Sequence, residues 1–135
     1  MLNYLPGISN NINNYTAYMK KLNINDRIFL KHSNQFDFVK VSQIKLITSM
    51  GNYCSIRTDN TKSIIIRNTL TRLEEALPEE NFLRINRSTI VNLDSISKIS
   101  RESSGRYKIN VENIKEELVV SQRYAVKIKK QLSFG

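Results

Sequence analysis

From Arg27 onward, short runs rich in β-branched and aromatic residues alternate with clusters of turn-forming residues. This pattern is typical of a β-rich domain. The turn residues Ser33-Asn34, Asp59-Asn60 and Ser103-Ser104-Gly105 tolerate positive φ, so three hairpins are expected. The predicted strands are Arg27–Lys31, Phe36–Val41, Ile44–Thr48, Tyr53–Thr58, Lys62–Arg67, Ile96–Ser100, Tyr107–Val111 and Glu117–Val120.

Two segments repeat apolar residues at the helical period instead. Residues 68–77 place Leu70, Leu73 and Leu77 on one face, and Pro78 ends that helix. Residues 121–132 begin at Ser121, a good N-cap, and carry an apolar stripe at i, i+4 and i+8. No acidic residue follows position 117, so the outer face of this second helix is strongly positive.

The first 26 residues differ in texture, since they are rich in Asn and short of Leu, Ile and Val repeats. A weak helical pattern runs from Tyr15 to Leu22. We interpret residues 1–26 as an N-terminal arm or appendage and residues 27–135 as one domain. The sequence leaves open whether the arm packs at all, either on this domain or on a second copy of it.

The composition favours a polyanionic partner. The 135 residues include 21 Lys and Arg against 12 Asp and Glu, which gives a net charge of +9. No apolar run is long enough to span a membrane and no signal peptide is evident, so a cytoplasmic location is expected. With a single cysteine, Cys54, and a single histidine, His32, the chain is not expected to hold a disulfide, a metal site or a catalytic triad.

The sequence also lacks a pattern typical of an enzyme. The acids Glu74, Glu75, Glu79 and Glu80 cluster around one helix, as on a solvated face, and the four glycines lie too far apart to form a phosphate-binding loop. We therefore predict no catalytic residues and no cofactor. Cys54 is interpreted as a small buried side chain rather than a redox switch.

Three segments pair basic and amide residues with predicted turns or strand ends: Gly51-Asn52-Tyr53, Arg84–Ser88 and Ser121-Gln122-Arg123. Arg side chains bind guanine edges with two hydrogen bonds, and Asn or Gln bind adenine edges in the same way. Ser, Tyr, Lys and helix N-termini are common phosphate ligands. By spacing alone this signal is weak, because Asn52 is equally suited to stabilising a turn. Arg84 is equally suited to being a surface charge or to pairing with Glu79 or Glu80.

Taken together, the motifs resemble the LytTR-type DNA-binding domain of bacterial response regulators. The resemblance covers Arg27 to about Leu132, and it implies an elongated sandwich of small, mostly antiparallel β-sheets with two short helices, which is not a helix-turn-helix. It also implies that loops enter successive major grooves. The matching segments are the strand into Gly51-Asn52-Tyr53, Leu70-Leu73-Glu74-Leu77-Pro78, residues 82–92 (FLRINRSTIVN) and Val120-Ser121-Gln122-Arg123-Tyr124.

The resemblance assigns base contacts to Asn52, Arg87 and Arg123. It assigns phosphate or secondary contacts to Tyr53, Arg84, Asn86, Ser88, Gln122 and Lys127. The chain departs from the family at Asn86, where His is common, and at Gln122, where Arg is common, so the preferred bases stay open. Asn92 is expected to bond an adjacent loop and so hold Arg87 in place.

The function expected is sequence-specific binding of double-stranded DNA by a bacterial transcription regulator, with two DNA elements about one helical turn apart. The alternative is a protein-interaction module, an anti-activator or scaffold that binds an acidic protein. An RNA-binding sheet would need clustered aromatics, and Phe36, Phe38, Tyr53 and Tyr107 are not expected to gather. The target operator, the sign of regulation, self-association on DNA and membership of a longer protein remain open.

Overall fold

The structure is a computed structural model that describes residues 2–5, 21–32, 34–58 and 63–132. These described residues contain eleven strands, two helices and two short 3₁₀ turns at Val41–Gln43 and Leu93–Ser95. The helices are α1 (Leu70–Ala76) and α2 (Gln122–Leu132). The strands are β1 (Leu2–Leu5), β2 (Arg27–His32), β3 (Gln35–Lys40), β4 (Leu46–Met50), β5 (Tyr53–Arg57), β6 (Ser63–Ile66), β7 (Phe82–Asn86), β8 (Thr89–Asn92), β9 (Ile96–Arg101), β10 (Tyr107–Val111) and β11 (Leu118–Val120).

The strands form three sheets in the orders β1-β2-β3, β6-β5-β4-β8-β7 and β11-β10-β9. All described pairings are antiparallel except that of β1 with β2. The predicted hairpins β2–β3, β5–β6 and β9–β10 are confirmed by their pairings, although Ser33, Asp59 and Asn60 of their turns lie outside the described residues. The mainly β, mostly antiparallel fold class is thus confirmed.

The central five-stranded sheet is buried on both faces, and its alternating side chains supply two separate cores. Ile47 and Ile90 face one core, which also contains residues of β2, β3 and α1. Their neighbours Leu46 and Val91 face the other core, where β10, β11 and Ile128 of α2 pack. The layers on either side therefore hold the central sheet, and any loop at its ends, in a fixed position.

Helix α1 follows the predicted leucine pattern. Thr69 caps it by accepting a hydrogen bond on Oγ1 from the backbone N–H of Arg72 at 3.2 Å. Leu70 and Leu73 are buried, and the helix ends at the buried Leu77, just before Pro78. The helix is therefore anchored against the central sheet, with its remaining face exposed.

Strands β1, β7 and β8 were not predicted from the sequence. All four residues of β8, Thr89–Asn92, are buried, so the apolar and polar alternation that marks a half-exposed strand is missing there. The register of β7 with β8 also shifts between Arg84 and Asn86, which breaks the periodicity of β7. The unpredicted β7–β8 hairpin forms one edge of the central sheet.

Part of the predicted N-terminal arm packs on the domain. Leu22 is buried in the first core, and its N–H donates to the carbonyl of Ala76 at 2.7 Å. The N–H of Val41 likewise donates to the carbonyl of Asp26 at 2.8 Å. The helical pattern predicted from Tyr15 lies outside the described residues up to position 20, and residues 21–26 form no helix.

The aromatic residues of β2 and β3 form a small cluster around Phe29. The Phe29 ring lies 4.2 Å from the Phe38 ring and 5.8 Å from the Phe36 ring, measured between centroids. Phe29 is paired with Phe38 in register, and Phe36 and Phe38 share one face of β3 by the two-residue period of a strand. Tyr53 and Tyr107 lie on other sheets, so only part of the set is clustered.

The single cysteine, Cys54, is part of the core. Cys54 is fully buried, its thiol lies 3.3 Å from the carbonyl oxygen of Asn68, and burial raises its pKa to about 11. Such a thiol is protonated at neutral pH and inert, which confirms its interpretation as a buried small side chain.

Among the described residues, no three His, Cys, Asp or Glu side chains form a metal-binding group. No described helix has the length and apolar character required to cross a bilayer.

Candidate nucleic-acid interface

Three loops meet at one end of the central sheet, which we call the loop end. Loop one is Gly51-Asn52 between β4 and β5, and loop two is Arg87-Ser88 between β7 and β8. Loop three is Ser121, which connects β11 to α2, together with Gln122 and Arg123, the first two residues of α2. Loops one and two are close because the N–H of Ser49 donates to the carbonyl of Ser88 at 2.9 Å. The three segments selected from the sequence therefore lie together in space.

Loop one is a two-residue hairpin connection between the paired residues Met50 and Tyr53. Gly51 has a φ of 64°, as the tight hairpin turns require. A Cβ atom on Gly51 would meet no heavy atom within 4 Å, so backbone conformation, not space, calls for glycine. The turn leaves the side chains of Asn52 and Tyr53 exposed at its tip.

Loop two is held by the side chain of Asn86. Its Oδ1 accepts hydrogen bonds from the N–H of Ser88 at 2.9 Å and from the Ser88 hydroxyl at 3.1 Å, in the manner of an Asx turn. Its Nδ2 donates to the carbonyl of Val119 at 2.8 Å. Asn86 therefore ties loop two to the strand that leads into loop three, while Arg87 at the tip is exposed.

Loop three is fixed to the central sheet by its backbone. The N–H of Ser121 donates to the carbonyl of Ile85 at 3.0 Å, and the carbonyl of Ser121 accepts the first helical hydrogen bonds from Tyr124 and Ala125. The Ser121 hydroxyl is buried and has no hydrogen-bond partner among the described residues. The Ser121 carbonyl therefore accepts the first hydrogen bonds of α2. The Ser121 side chain does not cap the helix, which differs from the prediction.

The exposed cations of this end have no acidic partner in the described part of the chain. Arg87, Arg123 and Lys127 are all exposed, and none forms an ion pair there. The Arg123 guanidinium lies 5.9 Å from the centroid of the Tyr124 ring. Because they form no ion pair within the described residues, these side chains present positive charge to solvent.

Arg84 differs from the other predicted contact residues because it points inward. Its side chain is only 14% exposed and pairs with Glu74 of α1 at 3.3 Å. Of the two alternatives to a DNA contact, a surface charge or an ion pair with Glu79 or Glu80, the ion pair is the one found, but its partner is Glu74, because Arg84 of β7 faces the middle of α1 and Glu79 and Glu80 follow the helix. The Arg84 guanidinium also donates to the carbonyl of Arg87 at 2.6 Å.

Asn92 bonds the backbone of an adjacent loop, as expected, but this loop precedes β4, so the expectation that Asn92 holds Arg87 is wrong. Its Nδ2 donates to the carbonyl of Ile44 at 2.9 Å and to that of Ser42 at 3.3 Å, and its Oδ1 accepts from the N–H of Asp94. These bonds lie at the opposite end of β8 from loop two. Asn92 therefore stabilises the far end of the central sheet.

Arg106 is a candidate that the sequence reasoning missed. It is exposed at the turn between β9 and β10, and nothing in its local sequence other than its charge distinguishes it from other arginines. The fold brings it to a cleft of about 320 Å³ beside loops two and three. The cleft is lined by Asn86, Arg106, Val119, Val120, Ser121 and Gln122.

Comparison with known proteins agrees with this arrangement. Residues 34–133 match the family model described as the LytTr DNA-binding domain. A solved LytTr DNA-binding domain from Bacillus cereus is 25% identical, with a TM-score of 0.71 over 80% of this chain and 97% of that chain. No curated protein matches the chain. The matched residues include all three loops and both described helices.

Proposed function

Because this chain belongs to the LytTr DNA-binding domain family, we propose that it binds specific double-stranded DNA sequences and thereby regulates transcription. DNA binding and a non-catalytic fold come with the family. Sequence specificity, double-stranded DNA as the target and the regulatory role are our proposal.

One observation carries the proposal: the loop end gathers three short loops, and the arginines of two of them, Arg87 and Arg123, form no ion pair among the described residues. A cation that is not needed to hold the fold is available to a phosphate or a base. A net charge of +9 adds a long-range attraction that brings DNA to the surface.

In this mechanism the loop tips read bases. The major groove of B-DNA is about 12 Å wide, so a two-residue hairpin loop can enter it without a recognition helix. We assign Asn52 to an adenine edge and Arg87 and Arg123 to guanine edges, because these side chains match those edges with paired hydrogen bonds. Loops on one side of the domain then contact two elements on the same face of the duplex.

Polar side chains near the loop tips are assigned to the sugar-phosphate backbone of the DNA. Tyr53, Ser88, Gln122 and Lys127 surround the three loop tips and are suited to phosphate contacts. The N-terminus of α2 also favours an anion through the helix dipole. Arg84 and Asn86 act from within the protein, since both bond the backbone of other residues.

The test is selection of bound fragments from a random double-stranded DNA pool at near-physiological salt, followed by sequencing. We expect an enriched motif of two elements about 10.5 base pairs apart, centre to centre. Binding without enrichment that disappears as salt rises would contradict the proposal, because purely electrostatic binding behaves in that way.

A further inference from the structure

Arg84 connects helix α1 to loop two through contacts made by its two terminal nitrogens. Nη1 lies 3.3 Å from the Glu74 carboxylate and 3.2 Å from the Thr71 hydroxyl, both on α1. Nη2 donates to the carbonyl oxygen of Arg87 at 2.6 Å. One guanidinium therefore bridges a helix of the first core and the backbone of the residue at the tip of loop two.

The same contacts argue against Arg84 as a direct DNA ligand. Its side chain is 14% exposed, and its Nε is buried with no hydrogen-bond partner among the described residues. A phosphate approaching from solvent would meet the exposed Arg87 side chain first. Glu74 also neutralises much of the charge that Arg84 would otherwise offer to DNA.

The geometry gives Arg84 control over where Arg87 points. Loop two has only two residues, so the position of the Arg87 carbonyl limits the directions open to its side chain. Asn86 fixes one side of this loop through Ser88 and Val119, and Arg84 fixes the other side through Arg87. Without Arg84, the Arg87 carbonyl would lose a charge-assisted hydrogen bond and the loop tip would move more freely.

We propose that Arg84, oriented by Glu74, is a positioning residue that sets the base preference of loop two. The proposal rests on the proposed function, because it takes Arg87 as a base-reading residue. It adds a role for a residue pair that does not itself touch DNA. Loop three is fixed through Ser121 and Ile85, and is therefore independent of this pair.

The experiment compares the bound-sequence profiles of the full chain and of the variants Arg84→Met, Glu74→Gln, Arg87→Ala and Arg123→Ala. The two alanine variants identify which motif positions each arginine reads. Arg84→Met is expected to lower affinity for the cognate site about 5-fold to 20-fold, because a binding group that is out of position contributes less. The base preference is expected to weaken only at the motif positions that Arg87 reads. Glu74→Gln is expected to do the same to a smaller extent.

Arg57→Met is the matched control, because Arg57 also forms an ion pair with a glutamate, Glu116, but at the opposite end of β5. It is expected to leave the profile unchanged. Thermal unfolding of each variant separates a folding defect from a loss of preference. If Arg84→Met does not fold, the nearly isosteric Glu74→Gln supplies the same comparison.

Two results would overturn the positioning role. In the first, Arg84→Met and Glu74→Gln keep the wild-type preference at the Arg87 positions. In the second, Arg84→Met weakens all DNA sequences equally, which is the behaviour of a phosphate contact. The wild-type profile tests the proposed function separately, since a motif in the wild type that persists in the variants refutes only the positioning role.

Discussion

The two ends of the central sheet use the same residue types in opposite ways. At the loop end, Arg87 and Arg123 are exposed and form no ion pair within the described residues. At the far end, Lys45 is buried and lies 3.9 Å from the Glu112 carboxylate, and Arg57 pairs with Glu116. Both of these glutamates follow β10, so the far-end cations join the central sheet to the β9–β11 layer.

This contrast shows that positive charge alone does not identify a binding surface. Arg57 and Arg87 contribute equally to the net charge of +9. Only the fold shows that one is paired with an acid across two layers and the other stands at a loop tip. If this distinction is correct, substitutions at the far end change stability and substitutions at the loop end change DNA binding.

The largest expected effect is on stability, from Asn92→Ala. Asn92 is buried and bonds the backbone of Ser42, Ile44 and Asp94, so its loss leaves buried carbonyl groups without a donor. We expect the free energy of unfolding to fall by about 2–3 kcal/mol, as measured by urea denaturation. DNA affinity of the folded protein should stay within about twofold, and a selective loss of affinity would break the comparison.

The next effect is on binding, from Arg87→Ala or Arg123→Ala. Each is expected to cost about 1–3 kcal/mol of binding free energy on a cognate site and to relax the preference for one base. Their stability should change by less than about 0.5 kcal/mol, because neither side chain has an ion-pair partner among the described residues. Titration of labelled DNA measures the affinity.

Arg57→Ala is the control for both arginine variants, since it removes the same charge from the far end. Its DNA affinity should be close to that of the wild type. Equal losses of affinity from Arg57→Ala and Arg87→Ala would mean that net charge, not position, governs binding.

Gly51→Ala tests the importance of the shape of loop one. The φ of 64° at Gly51 costs a residue with a Cβ atom about 1–2 kcal/mol, although the space around it is open. We expect this loss in the free energy of unfolding, with weaker selection for the base that Asn52 contacts. Gly51→Asn should lose less of both, because Asn tolerates positive φ better than Ala.

The sequence predicts the features that depend on local residue patterns, but not those that depend on which strands pair. The helices and the half-exposed strands follow from local periodicity, as the leucines of α1 show. Strand β8 could not be found in that way, because burial on both faces removes the alternation. The three loops were found from residue type, but their meeting at one end depends on the pairing of β4 with β8.

The roles of Arg84 and Arg87 show the same limit at the level of single residues. Both are arginines of one short segment, and the family resemblance assigns Arg87 to a base contact and Arg84 to a phosphate or secondary contact. The register shift in β7 and the position of α1 direct Arg84 inward to Glu74 and leave Arg87 at the tip. Such a difference arises only from tertiary structure, so neither composition nor spacing could have revealed it.

The smallest expected effect comes from Lys127→Ala and concerns how binding depends on salt. Lys127 is exposed on α2, one helical turn beyond Arg123, where it is suited to a phosphate but not to a base edge. Its loss should weaken all DNA sequences about equally and reduce the slope of log affinity against log salt by about 0.9. Lys115→Ala removes the same charge from an exposed position between β10 and β11, toward the far end, and should leave the slope unchanged. Since both variants lower the net charge equally, a difference between their slopes would locate the phosphate contact at the loop end, whereas equal slopes would exclude Lys127 from the interface.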